Sequence, residues 1–99
     1  MTEKMTSPDG ILEITRSSIT YPGMGPKSVQ GAVKNHGKEA VNAEISVDFY
    51  DMEDNLLGNA SAVFNGIQPG ETKIFDVWAE RLPNMYEIEY HKIKSLKVV

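Results

Sequence analysis

Asp51-Met52-Glu53-Asp54-Asn55 is the densest run of chemically capable side chains, with four oxygen-bearing residues in five. Such oxygens suit Ca²⁺, which takes about six to eight of them. The run departs from the helix-loop-helix calcium pattern, with Leu56 where the sixth position needs Gly and Ala62 where the twelfth needs Glu. A solvated hairpin loop is the expected reading. His36 and His91 are the two imidazoles, and neither stands in H-x-x-x-H spacing. Surface positions are expected for both, His36 in a turn and His91 at a break in strand phase. The sequence has no cysteine, which removes disulfides, thiolate nucleophiles and cysteine-held zinc together. Serines are plentiful, yet no G-x-S-x-G elbow occurs, and a serine nucleophile needs a base held by a third group. Glu44 and Asp48 share one strand face, four positions or roughly 13 Å apart. Paired glycosidase carboxylates sit at about 5 to 9.5 Å. No catalytic residue, metal ligand or cofactor is assigned, and the chain is expected not to be an enzyme.

Tyr21, Tyr50, Trp78, Tyr86 and Tyr90 are the aromatics with a polar edge. Outward-facing Tyr50 and Trp78, with Asp48 beside them, would form a stacking patch for a sugar ring or a peptide. The competing expectation, favoured for a tryptophan, is that Trp78 covers one end of the core. Asn59-Ala60-Ser61 is a glycosylation sequon, meaningful only in an exported chain.

The elements that would position these residues are strands. Val41, Ala43, Ile45, Val47 and Phe49 alternate with Asn42, Glu44, Ser46, Asp48 and Tyr50, which predicts a strand with one face on a core. The return strand is expected to bury Leu56, Ala60, Ala62 and Phe64. Upstream, Leu12 and Ile14 share a face, with the phase weak beyond Arg16, and Pro22 to Pro26 is a loop. Val29, Gly31 and Val33 share a face of the next strand, where Gly31 marks a bulge or close backbone approach. Asn35 to Glu39 is a turn in which Asn and Gly can take positive φ. Ile67 is expected to tuck beneath its loop. Glu71 to Ala79 is a strand with Phe75 and Val77 inward. Glu80 to Met85 is a loop containing Pro83. In the last segment Tyr86, Ile88 and Tyr90 are in phase, and the break beyond them implies two short strands or a bulge near His91-Lys92. Lys92, Lys94 and Lys97 suit an edge that must not pair with a neighbour.

Ninety-nine residues make one domain. A net charge of -4, with ten basic residues scattered among fourteen acidic ones, argues against nucleic acid. No apolar run approaches a membrane span, and residues 1–10 lack a signal-peptide core. Residues 1–10 are expected as a disordered leader and 11–99 as the single domain. Six or seven strands with turns every eight to twelve residues predict an all-β antiparallel sandwich.

Val29-Gln30-Gly31-Ala32-Val33-Lys34-Asn35, Val47-Asp48-Phe49-Tyr50-Asp51, Asn55-Leu56-Leu57-Gly58 and Ile67-Gln68-Pro69-Gly70-Glu71-Thr72, then Phe75-Asp76-Val77, together resemble the FxLYD domain, an immunoglobulin-like prokaryotic module. The resemblance covers about half the chain. Val47 stands where the family's name has Phe, and Phe49 where it has Leu. Both swaps keep an inward apolar group, and the Tyr50-Asp51 pair is retained. The resemblance implies an immunoglobulin-like antiparallel sandwich, a module of cell-surface or membrane-anchored proteins, and brings no catalytic residue. The resulting expectation is a non-catalytic accessory or adhesion-type domain at a prokaryotic surface, monomeric when isolated, that spaces other domains or recognises protein. A carbohydrate-binding module built on Tyr50, Trp78 and Asp48 is the alternative.

Overall fold

A computed structural model describes residues 5–20, 27–79 and 85–99, with only the backbone of Met85. Tyr21, the Pro22–Pro26 loop and the Pro83 loop lie outside the described residues. Among the described residues the fold is all-β, with seven strands in two antiparallel sheets. The strands are β1 (Met5–Thr6), β2 (Leu12–Thr20), β3 (Ser28–Asn35), β4 (Val41–Tyr50), β5 (Leu56–Ile67), β6 (Thr72–Trp78) and β7 (Tyr90–Val98). One sheet has the order β1-β2-β3-β6 and the other β5-β4-β7.

Alternation in β4 holds as expected. Ala43, Ile45, Val47 and Phe49 are fully buried, and their outward neighbours are not. Leu12, Ile14, Val29 and Val33 from the facing sheet complete the core with Phe75 and Val77. Ile67 is buried as expected. Gly31 marks a close approach: a Cβ there would lie against the Arg16 carbonyl oxygen and 2.7 Å from Phe75 Cζ.

Bulges account for the places where strand phase is lost. Between Ile14 and Arg16, β2 advances two residues for one on β3, so Ser17 takes over as the inward position. In β5 a register shift at Phe49/Tyr50 inserts Leu57, which packs on the core while Leu56 is 59% exposed. The expected burial of Leu56 is therefore corrected. In β7 the extra residue is Lys94, since Ser46 pairs with Ser95 but Val47 with Ile93. The bulge is thus displaced from His91-Lys92. Tyr86 and Tyr90 do not continue a strand with Ile88, because Met85–Glu87 forms a 3₁₀ turn that leaves Tyr86 exposed.

Two further expectations change. Within the expected leader, Met5 and Thr6 form β1 and pair with Ile14 and Glu13. Backbone pairing needs no apolar pattern, so polar residues hid it. Neither Asn35 nor Gly37 takes positive φ. Asn35 is instead fully buried, donating from Nδ2 to Glu39 O and Ile67 O and accepting at Oδ1 from Gly37 N. It ties the end of β3 to the end of β5, across the two sheets.

Candidate functional site

The outer face of β5-β4-β7 gathers the greatest concentration of interacting polar and aromatic side chains. Register places Tyr50 opposite Tyr90 and Asp48 between Asn59 and Lys92. The two tyrosine rings stack with centroids 5.0 Å apart and planes 7° from parallel. Lys92 Nζ lies over the Tyr50 ring at 5.4 Å from its centroid, within cation–π range. Tyr90 Oη donates to Asp54 Oδ1 at 2.7 Å. That bond to a carboxylate favours the protonated phenol and pushes the Tyr90 pKa up to about 12.

The acidic loop supports this corner. Asp51 Oδ1 accepts from the backbone N–H groups of Glu53 and Asn55, both at 2.9 Å, and Oδ2 accepts from Asn55 Nδ2. Hydrogen bonding to Asn55 holds the Asp51 carboxyl below its usual range. Asp54 adopts φ 65°, a left-handed conformation that Asp tolerates better than most residues. The loop is built by its own hydrogen bonds, as its hairpin reading requires. Among the described residues no three histidines or acids stand close enough to hold a metal ion.

Further along the face, Asn59 Nδ2 donates to Ser46 Oγ at 2.8 Å, Asp48 Oδ1 at 3.0 Å and Val47 O at 3.1 Å. Two hydrogens thus serve three acceptors, which commits the sequon's nitrogen to the sheet. Glu44 reaches Lys97 at 4.0 Å in a largely solvated pair.

The anticipated patch of Tyr50, Trp78 and Asp48 does not form as one surface. Tyr50 and Asp48 belong to the three-stranded sheet, whereas Trp78 ends β6 in the other. Trp78 does not cover an end of the core; it is 46% exposed and shares the outward phase of exposed Ile74. The residues that do join Tyr50 are Tyr90, Lys92 and Asp54. Their signal was the i, i+2 spacing of Tyr90 and Lys92, which acquires meaning only with the β4–β7 register.

His91 also departs from expectation. It is buried, with Nε2 3.0 Å from the Oγ of Ser17, which is itself 1% exposed. Burial pushes the His91 pKa down and keeps the ring neutral. A serine and an imidazole at this distance have nucleophile–base geometry. Here they form a bond between β2 and β7 inside the sandwich, where a substrate cannot reach Oγ. His36 is on the surface as expected, 2.7 Å from Glu13.

No family model matches the sequence, and no curated protein matches it. Among solved structures, the solution NMR structure of the uncharacterized lipoprotein yajI from Escherichia coli has a TM-score of 0.54 and 11% sequence identity. The match covers 100% of this chain and 63% of that one. At this identity the likeness is one of fold.

Proposed function

We propose that this chain is a non-catalytic accessory module of a prokaryotic envelope protein, of FxLYD type, that recognises protein through the outer face of β5-β4-β7. The observation that carries the reading is where the perturbed groups are spent. Asp51 organises its loop, Tyr90 is held by Asp54, and His91 spans the sheets to Ser17. The accessible chemistry that remains is a pre-ordered sheet face, the kind of surface on which binding modules work. A lipoprotein as fold neighbour supports an envelope setting. Sugar stacking gains less support, since Tyr50 is engaged by Tyr90 and Lys92 and Trp78 lies on the other sheet.

The test is made on the parent protein in its own cells. Fractionation is expected to place it in the envelope, and a cytosolic location would sink that half of the reading. A photo-crosslinking residue at Ser46, on the proposed face, is expected to give a discrete protein adduct that the same residue at Ser18 does not. Equal labelling from both positions would refute the face assignment.

A further inference from the structure

We propose that the free edge of β5 pairs antiparallel with β5 of a second copy, joining two three-stranded sheets into one of six strands. This goes beyond the envelope-module reading, does not rest on it, and replaces the monomer expected from the sequence. Each sheet ends in two edge strands, and an edge exposes N–H and C=O groups that template pairing. Three of the four edges carry a deterrent. β1 is two residues long. β6 bears Lys73 and Asp76, and β7 bears Lys92, Lys94 and Lys97. β5 has twelve residues, Leu-Leu-Gly-Asn-Ala-Ser-Ala-Val-Phe-Asn-Gly-Ile, without one charge or proline.

The occupant follows from that chemistry. An incoming strand with charges would find no counter-charge on β5, whereas β5 itself meets no like charge in its own copy. Between its two bulges β5 runs in unbroken register from Gly58 to Phe64, with Ser61 at the centre. A two-fold axis at Ser61 would set Asn59 opposite Val63 and Ala60 opposite Ala62. It would also set Phe64 opposite Gly58, an aromatic covering a strand glycine. The inward side chains Ala60, Ala62 and Phe64 are packed on the core yet only partly buried, so a second strand has apolar surface left to cover. Outward, Val63 is 51% exposed and would gain cover from Asn59 of the second copy. Each copy presents the same patch, as a two-fold interface requires.

Sedimentation equilibrium of the full chain from roughly 10 µM to 1 mM, the range of weak edge contacts, tests the proposal. The mass is expected to rise from the 11.0 kDa of one chain towards twice that value. Ser61→Lys sets two ammonium groups opposite each other at the axis and is expected to weaken association at least about tenfold. Ser18→Lys, on the outer face of the other sheet, is expected to leave it unchanged. Val63→Lys is the second variant should Ser61→Lys alter the far-ultraviolet spectrum. Hydrogen exchange at Gly58–Phe64 is expected to slow as concentration rises. A mass that stays at 11.0 kDa throughout overturns the proposal. So does a dimer that the two β5 variants leave intact, or that Ser18→Lys disrupts equally, since the contact would then lie elsewhere.

Discussion

Replacing Asn35 by alanine is expected to remove about 3 to 4 kcal/mol of folding stability, from the hydrogen bonds it breaks. The side chain is fully buried and makes three of them: Nδ2 to Glu39 O at 2.8 Å, Nδ2 to Ile67 O at 2.9 Å, and Oδ1 from Gly37 N at 2.8 Å. Its own backbone groups are satisfied by Gly70 and Glu71, so alanine leaves those bonds in place. Glu39 is exposed and Gly37 half-buried, so their freed groups recover water and cost about 1 kcal/mol each or less. Ile67 is fully buried, and its carbonyl loses the Asn35 bond where water cannot replace it, at about 2 kcal/mol. In a domain of this size each kcal/mol moves the melting midpoint by about 4 to 8 °C, so a fall of roughly 12 to 32 °C is expected. Urea unfolding followed by Trp78 fluorescence and circular dichroism measures the change, with the m-value unaltered. Asn35→Asp sharpens the test because it keeps Oδ1 for Gly37 but turns the donor into an oxygen facing two carbonyls. It is expected to be worse than alanine at neutral pH and to recover partly as the carboxyl protonates. An alanine variant within about 1 kcal/mol of the parent, or an aspartate variant as stable as the parent at neutral pH, would refute the clamp.

Gly31→Ala drives a methyl into the Arg16 carbonyl and the Phe75 ring, and a loss of about 3 kcal/mol is expected in urea unfolding, the upper end for overpacking. His91 has its pKa lowered by burial, so the unfolded chain, titrating near about 6.5, takes up the proton first as pH falls. Stability is therefore expected to decline from about pH 7 downward and to level off below the folded pKa; His91→Gln should flatten that slope in thermal melts, and a flat parent curve would count against the buried ring. Spectrophotometric titration is expected to show one tyrosine ionising late, near 12 as against 10, and Asp54→Asn should return it towards the ordinary value.

What was legible in the sequence was whatever alternation controls. β4 is the central strand of its sheet and runs unbroken from Ala43 to Phe49 on the β5 side, so its pattern maps directly onto burial. Bulges erase that mapping. Leu57 displaced Leu56 from the core, and Lys94 moved the inward phase from Ile93 to Leu96. Polar residues spent inside were the second blind spot. Asn35 and His91 read as turn and surface residues, and Ser17 falls where the phase is weak, because their partners lie in the other sheet or beyond the turn. Asp51 was legible because its partners are two and four residues away. The Tyr50–Tyr90 stack joins strands forty residues apart in sequence and needed the register itself.

The strand order sets the timetable on which this chain can fold. β3 waits for β6 before its second edge is paired, and β4 waits for β7, the last of the seven in chain order. Until Tyr90–Val98 has left the ribosome, the centre of one sheet is its edge. Buried Ile93 and Leu96 are then missing from the core, and His91 has not reached Ser17. Such non-local pairing folds in about milliseconds to seconds, slower than local contacts allow. The transition is thus expected to be a single event that waits for β7, and a domain deprived of that strand would be held unfolded for whatever chaperones its compartment supplies.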